Sequence, residues 1–322
     1  MSAMRRRVPV VVCVLLSVVF LSSIASAQTN WTRTYGGAGR ASGYSVQQTA
    51  DGGYVVAGAN GDVYLVRTNA QGDTLWTRTY GGPSGDYGHS VQQTTDGGFI
   101  VAGLTWSFGS GSDDFYLVKT NAQGDTLWTR TYGGPIWDEG YSVRQTSDGG
   151  YIIVGYTHSY GAGGRDVYLI RTDAKGDTLW TRTYGGTLYD QGYSVQETDD
   201  GGFIVAGLTD DFGGRGQLLI KVNASGDTLW TRTYGGSGRD LGVSVKQTLD
   251  GGYIIAGGGF YLVKTDAQGD TLWTGTYGGG TYCQSAQQTT DGGYIAAGWT
   301  RSFGAGGNDV YLVRTNAQGD TL

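Results

Sequence analysis

Cysteine, histidine and proline are scarce in this sequence. Its 322 residues include two Cys, two His and three Pro. Cys13 lies in an N-terminal apolar run, which leaves Cys283 as the only cysteine of the remaining chain and excludes an intramolecular disulfide there. His89 and His158, with one cysteine, are too few ligands for a structural zinc site. The fold must therefore be stabilised by packing alone.

Positive charge is also limited, and part of it is concentrated at the N-terminus. Arg5-Arg6-Arg7 precede an apolar run from Val8 to Ile24, and Ala25-Ser26-Ala27 follow. This order is typical of a cleaved signal peptide, so we expect residues 1–27 to be removed. A retained membrane anchor is the alternative, which the short apolar run disfavours. The predicted location is secreted, at the cell surface or periplasmic.

The chain without this segment is acidic. Its 22 basic and 28 acidic residues give a formal net charge of −6, and loss of the three arginines makes it more negative. An acidic chain without a basic cluster argues against nucleic acid as a partner and against insertion into an anionic membrane after signal cleavage. We predict a monomer.

The sixty glycines occupy fixed places in a repeat instead of linkers. The stretch Gly72–Gly82 (GDTLWTRTYGG) returns from Gly124, Gly176 and Gly226, and with one change from Gly269. A period of about 50 residues indicates an array of supersecondary units. The sequence predicts one domain over residues 28–322 with six repeats, approximately 31–75, 76–127, 128–179, 180–229, 230–272 and 273–322.

Each repeat contains four short β-prone runs separated by turns. An Asp-Gly turn follows the first run and an Asn/Asp-Ala-x-Gly turn follows the third, and both favour hairpins. No helical periodicity follows the signal. We therefore predict an all-β, six-bladed propeller of four-stranded antiparallel blades, with a β-solenoid as the competing fold. Gln28–Tyr35 is predicted to close the ring as the outer strand of the last blade. Gly319–Leu322 repeats the start of that strand, so a fragment of a longer chain is also considered.

Two segments carry a resemblance to known families. Asp148–Gly155 (DGGYIIVG) and Asp166–Trp180 (DVYLIRTDAKGDTLW) resemble a blade of quinoprotein-like (PQQ-like) and outer-membrane-assembly-factor-like propellers. Those families carry Asp-Ala-x-Thr-Gly-x-x-x-Trp, and the turn here is one residue shorter. The whole repeat is similar to highly repetitive secreted propeller proteins of bacteria and archaea. The resemblance implies that the repeated tryptophan packs on the next blade, a structural role for Trp31, Trp76, Trp128, Trp180, Trp230 and Trp273.

Candidate binding residues follow from departures from the repeat. The loop between strands two and three and the connector to the next blade should share one face, and all length variation falls there. We predict a ligand site on this variable face, with Trp106, Trp137, His158, Tyr189, Trp299 and Arg301 as candidates. Aromatic and arginine side chains are typical of protein or glycan contact surfaces. Packing of the loops is the alternative role.

Known catalytic and metal motifs are not matched. Gly140–Arg144 begins like a nucleophile elbow but lacks its final glycine, and several repeats share the defect. Recurring acids such as Asp86, Asp138 and Asp190 could hold Ca²⁺, but EF-hand spacing is absent, and bonding to loop amides is favoured. We predict no cofactor and no catalytic residue. The leading hypothesis is a non-enzymatic exported protein- or glycan-binding propeller; the alternatives are a display module of a longer surface protein and, less favoured, a hydrolase or lyase.

Overall fold

The computed structural model describes residues 31–211, 215–235, 242–279, 281–304 and 306–322. The predicted signal segment, residues 1–27, lies outside this range. Of the described residues, Trp31 and Thr32 belong to a first unit and residues from Arg33 onward to a second. Among the described residues, no helix has the length and hydrophobicity needed to span a bilayer.

The described chain is built of β-strands. In chain order they are β1 Ser42–Gln48, β2 Tyr54–Ala59, β3 Val63–Thr68, β4 Thr74–Tyr80, β5 Asp86–Gln93, β6 Phe99–Thr105, β7 Asp114–Thr120, β8 Thr126–Tyr132, β9 Asp138–Gln145, β10 Tyr151–Thr157, β11 Asp166–Thr172, β12 Thr178–Tyr184, β13 Asp190–Glu197, β14 Phe203–Thr209, β15 Gly216–Val222, β16 Thr228–Tyr234, β17 Gly242–Gln247, β18 Tyr253–Gly257, β19 Tyr261–Thr265, β20 Thr271–Thr276, β21 Thr281–Gln288, β22 Tyr294–Thr300 and β23 Asp309–Thr315.

These strands form six antiparallel sheets in chain order. Blades 1 to 5 contain four consecutive strands each, from β1–β4 to β17–β20, and blade 6 contains β21–β23. Every pairing within a blade joins strands that are neighbours in the sequence, as in a meander. The predicted all-β propeller of six blades is confirmed, and the solenoid is excluded because the strands are joined by hairpins.

The two repeated turns adopt the backbone that their glycines permit. In blade 3, Gly149 of the Asp-Gly turn has φ 87° and Gly176 of the second turn has φ 79°. The Asp173 carboxylate accepts hydrogen bonds from the N–H groups of Lys175 and Asp177 and so holds the second turn. A side chain on these glycines would be strained, which explains their recurrence.

The hydrophobic core lies between adjacent blades. The second and third strands of blade 3, β10 and β11, are buried along their whole length. Ile152, Val154 and Leu169 of blade 3 share one cluster with Val195 and Val205 of blade 4. Continuous apolar runs on these strands are therefore explained by burial of both sheet faces.

Each repeated tryptophan of the fourth strands contacts an aromatic residue of the next blade. The pairs are Trp76–Phe99, Trp128–Tyr151, Trp180–Phe203, Trp230–Tyr253 and Trp273–Tyr294, with ring centroids 5.4 to 6.1 Å apart. Trp31 lies outside any strand, in the separate N-terminal unit. Its structural role stays a prediction.

Closure of the ring by an N-terminal outer strand is wrong for the described residues. Residues 31–37 form no strand, and the outer edge of β23 is instead approached by Thr321, which bridges Thr315. The Tyr35 hydroxyl donates to the Gly72 carbonyl oxygen at 2.7 Å, the bond that Tyr80 makes to Gly124 one blade later. Tyr35 thus makes with blade 1 the contact that a fourth strand makes with the following blade, but the described residues of the segment do not pair with β23.

The terminal blades expose faces that the other blades bury. On β23, Val310 is 89% exposed, whereas its counterpart Val167 in blade 3 is 0% exposed. On β1, Val46 is 66% exposed, whereas its counterpart Val195 in blade 4 is 0% exposed. Within the described part of the chain, blade 6 therefore does not pack on blade 1 as adjacent blades pack on each other.

The first strand of every blade faces a central channel. A cavity of about 740 Å³ is lined by residues of β1, β5, β9, β13, β17 and β21. These first strands, which carry Ser-Val-x-Gln or its equivalent, therefore line the channel.

Candidate functional site

The variable loops and the connectors lie together, as predicted. The His158 N–H, after β10, donates to the Trp137 carbonyl oxygen at 2.9 Å. One blade later, the Asp210 N–H donates to the Tyr189 carbonyl oxygen at 2.9 Å. In blades 3 and 4, the strand two–three loop is thus joined by its backbone to the connector that enters the same blade.

Three of the predicted site residues line one groove across blades 3 and 4. Trp137, His158 and Tyr189 border a cavity of about 520 Å³, together with Arg165, Gln191, Tyr193, Leu208 and Arg215. Trp137 and Tyr189 are about half exposed, at 48% and 51%. The buried side chains of Gln191 and Leu208 belong to its lining. We call this set the aromatic groove.

Arg165 connects the side chains of the aromatic groove. Its Nε donates to His158 Nε2 at 2.9 Å, and its guanidinium lies 4.4 Å from the ring centroid of Tyr156 and 5.9 Å from that of Tyr189. Trp137 meets the His158 ring edge to face at 5.4 Å. Stacking of a guanidinium on aromatic faces is favourable and leaves its outer N–H groups free to donate.

His158 is held in its neutral form. Burial lowers its pKa, and the positive charge of Arg165 lowers it further. The hydrogen bond from Arg165 requires an unprotonated Nε2 on the imidazole, in agreement with that direction. The positive charge of the aromatic groove therefore comes from its arginines.

A carboxylate fixes the wall behind the groove. Glu139 accepts hydrogen bonds from the Tyr141 hydroxyl at 2.7 Å and from the Tyr156 hydroxyl at 2.5 Å. Burial raises the pKa of both tyrosines, and the Glu139 charge adds to the shift. Both phenols thus stay protonated as donors to Glu139, which positions the Tyr156 ring under Arg165.

The loop that presents Tyr189 is held by one aspartate. Asp211 accepts hydrogen bonds from the N–H groups of Gly186, Thr187 and Leu188 at 2.9 to 3.1 Å. Blades 2, 3 and 6 have serine at this place in the loop, and Ser159 holds only the Ile136 N–H. A single carboxylate therefore orders the connector of blade 4 more extensively than serine orders the others.

Replacing Asp211 with alanine is expected to release this connector. The N–H groups of Thr187 and Leu188 would lose their acceptor, so their hydrogen exchange should accelerate by about tenfold or more, whereas the Gly186 N–H keeps Asp190 Oδ2 at 3.1 Å. Hydrogen-exchange mass spectrometry measures the change. Ser159→Ala is the matched control, because it removes one amide acceptor in blade 3. Equal protection in Asp211→Ala and the parent protein would contradict the role of Asp211.

The other predicted site residues lie elsewhere. Trp106 packs edge to face on Tyr87 at 5.8 Å in blade 2. Trp299 stacks on Tyr282 at 4.4 Å in blade 6, and Arg301 lies over Trp299 and donates to Asn308. None of the three lines the aromatic groove. Their contacts within a blade fit loop packing, the alternative role considered for them.

Arg165 and Asp211 were missed by reasoning from the repeat. Arg215 departs from the repeat, but its partner Asp210, 3.0 Å from it, gave no separate signal. Arg165 occupies the position of Asp113 in blade 2 and Asn308 in blade 6. This position faces the first residue of the loop between strands two and three. Comparing the two positions across the blades would have paired Arg165 with His158 and Arg215 with Asp210.

The recurring aspartates of the connectors bind loop backbone. Asp138 is fully buried, and its carboxylate accepts from the Gly134 N–H at 2.8 Å and the Ser159 hydroxyl at 2.7 Å. Among the residues placed in the structure, no three His, Cys, Asp or Glu side chains are grouped to hold a metal ion. Asp240, in the corresponding position of blade 5, lies outside the described residues. The possibility of Ca²⁺ stays a prediction.

Comparisons with known proteins bear on the fold. No family model matches this chain, and no curated protein matches it. A protein of unknown function from Bacteroides caccae aligns with a TM-score of 0.54 at 12% identity, over 83% of this chain and 91% of that one. The RRP9 WD40 repeats align with a TM-score of 0.57 at 13% identity, over 88% and 80%. BamB from Moraxella catarrhalis aligns with a TM-score of 0.47 at 16% identity, over 86% and 81%. The first two likenesses show a shared propeller fold.

Proposed function

We propose that this protein is an exported, non-enzymatic propeller that binds a protein or glycan in the aromatic groove. One observation carries the proposal: Trp137, His158 and Tyr189, which depart from the repeat at three separate places in the sequence, line one groove with two arginines. Scaffold packing needs the same residues in every blade. Residues found in only part of the array and brought together on one surface are better explained by a ligand.

The chemistry of the groove favours an anionic or hydroxylated surface on the partner. Two half-exposed aromatic rings offer large contact area at small entropic cost, and sugar rings or apolar side chains can stack on them. The Arg165 guanidinium is engaged through Nε only, and the described residues offer it no ion pair. Its remaining N–H groups can donate to a carboxylate or to hydroxyl groups.

Both walls of the groove belong to one chain. Blade 3 supplies Trp137, His158 and Arg165, and blade 4 supplies Tyr189 and Arg215. A monomer therefore suffices for the proposed binding. The only cysteine outside the signal segment, Cys283, is buried, and burial raises its thiol pKa to about 12, so it is a poor nucleophile. These features support a binding role.

Binding is tested with residues 28–322, using a glycan array and pull-down from surface or secreted proteins. We expect the double variant Trp137→Ala/Tyr189→Ala to weaken binding by about tenfold or more, since both substitutions remove ring contact area. Trp106→Ala is the matched control, because it removes a ring that is 51% exposed and lies outside the groove. Retained binding in a folded Trp137→Ala/Tyr189→Ala variant would refute the groove and would favour the display-module alternative.

A further inference from the structure

The channel wall departs from the repeat at two positions. The third residue of each Ser-Val-x-Gln motif, or its equivalent, lines the channel. From blade 1 to blade 6 these residues are Gln47, Gln92, Arg144, Gln196, Lys246 and Gln287. Glutamine is the residue of four blades, and a cation replaces it in blades 3 and 5.

Three of the glutamines join neighbouring blades. In each case the side-chain oxygen accepts a hydrogen bond from a backbone N–H on the first strand of the next blade. The bonds are Gln93 N–H to Gln47 Oε1 at 2.6 Å, Gln145 N–H to Gln92 Oε1 at 2.6 Å, and Gln247 N–H to Gln196 Oε1 at 3.0 Å. Glutamine at this position therefore has a structural role between blades.

Arg144 and Lys246 cannot perform that role. Their side chains carry donors only, so neither can accept from the N–H of the following strand. The N–H groups that would donate to these positions lie on the next blade, Glu197 N–H opposite Arg144 and Gln288 N–H opposite Lys246. Among the described contacts, neither has a side-chain acceptor of this kind. Two of the five junctions thus lose a hydrogen bond, and packing of the scaffold does not explain the two cations.

The two positive charges are also uncompensated. The Arg144 Nη1 donates to the Val143 carbonyl oxygen at 2.8 Å. Within the described residues, neither Arg144 nor Lys246 forms an ion pair, and the Lys246 side chain forms no hydrogen bond. Glu197 lines the same channel, but its two carboxylate oxygens accept from the N–H and hydroxyl of Ser147. Burial lowers the pKa of Lys246 to about 8, and the charge of Arg144 adds to the shift.

We propose that the channel binds a compact multivalent oxyanion of the phosphate class between Arg144 and Lys246. Gln196 stands on the blade between them, and its amide oxygen is already engaged, which leaves its NH₂ donors for a ligand. Two cations and an amide donor on three consecutive blades match the several acceptor oxygens of such an anion. The channel volume of about 740 Å³ accommodates a phosphate or pyrophosphate with bound water.

The channel site is independent of the proposed function. Arg144, Gln196 and Lys246 line the channel, and none of them lines the aromatic groove. An anion bound here also reduces the repulsion between two partly buried cations. The ligand would thereby link blades 3, 4 and 5.

The proposal is tested by calorimetric titration of residues 28–322 with inorganic phosphate, pyrophosphate and sulfate at constant ionic strength set with chloride. We expect saturable binding of at least one of these anions and a matching rise in Tm. Arg144→Gln and Lys246→Gln should each weaken binding by about tenfold, the loss of one charge-assisted contact, and together they should abolish the rise in Tm. Glutamine is native to this position in four blades, so the variants should fold.

Two controls sharpen the result. Lys175→Gln removes an exposed lysine in the second turn of blade 3 and should leave anion binding unchanged. Trp137→Ala/Tyr189→Ala should also leave it unchanged, whatever becomes of groove binding. In chloride buffer without phosphate, pyrophosphate or sulfate, the glutamine variants should match or exceed the Tm of the parent. Absence of binding for all three anions, or equal binding by the folded Arg144→Gln/Lys246→Gln variant, would overturn the proposal.

Discussion

Replacing Trp128 with alanine is expected to lower the free energy of unfolding by about 3–5 kcal/mol. The indole of Trp128, on the last strand of blade 2, meets Tyr151 of blade 3 edge to face at 5.8 Å. It also covers the second turn of blade 3 so closely that a Cβ on Gly176 would lie 2.9 Å from the ring. Alanine would leave a cavity that two rigid sheets cannot close.

Chemical denaturation of the variant measures this loss. Trp137→Ala is the matched control, since the same side chain is removed from an exposed loop, and its cost should stay within about 1 kcal/mol. The difference between the two variants isolates the contribution of packing between blades. Equal unfolding free energies for the two variants would show that Trp128 does not join the blades.

The blades could be predicted because each local signal repeats and points to the same structure. Asp-Gly and Asn/Asp-Ala-x-Gly fix two hairpins through glycines with positive φ, such as Gly149 and Gly176. Apolar runs without alternation, such as Ile152 and Ile153, indicate strands covered on both faces. These signals depend only on neighbouring residues, so each repeat tests the same prediction independently of the others.

Closure of the ring could not be predicted, because its signal is not local. Arg33–Tyr35 repeats the Arg-Thr-Tyr of a fourth strand, and in the other blades such a strand pairs with the third strand of its own blade and bonds the second turn of the next blade. Among the described residues the structure shows only the second contact, with Tyr35 bonded to Gly72 of blade 1. Pairing with β23 would join residues from opposite ends of the described chain, and no local signal specifies it.

The candidate site could be predicted only in part. Departures from the repeat single out residues of the variable face but do not show which of them adjoin, so Trp106 and Trp299 were grouped with Trp137 although they pack within blades 2 and 6. Adjacency depends on connector geometry that Asp211 sets through three backbone amides. An aspartate in a polar loop carries no sequence signal for that role.

Replacing Asp148 with alanine is expected to cost about 2–3 kcal/mol of unfolding free energy, because it leaves a buried guanidinium without its anion. Arg171 is 6% exposed, and its Nη2 donates to both Asp148 oxygens at 2.5 Å. Denaturant unfolding measures the loss. Asp177→Ala is the matched control: its partner Arg130 is 38% exposed on the side chain, and such pairs contribute about 0–1 kcal/mol.

The same pair gives the fold an acid dependence of known sign. The Thr146 hydroxyl first, then the Gly150 N–H and the Arg171 charge, lower the pKa of Asp148. A carboxyl whose pKa is lower in the folded state stabilises the fold above its unfolded pKa of about 4 and loses that contribution as the pH falls. The Tm difference between the parent protein and Asp148→Ala should therefore shrink below pH 4. Arg171→Lys should retain most of the stability, since blade 2 uses Lys119 with Asp96 in this place at 2.9 Å. A constant Tm difference between pH 7 and pH 2 would mean that Asp148 acts through the shape of its turn and not through its charge.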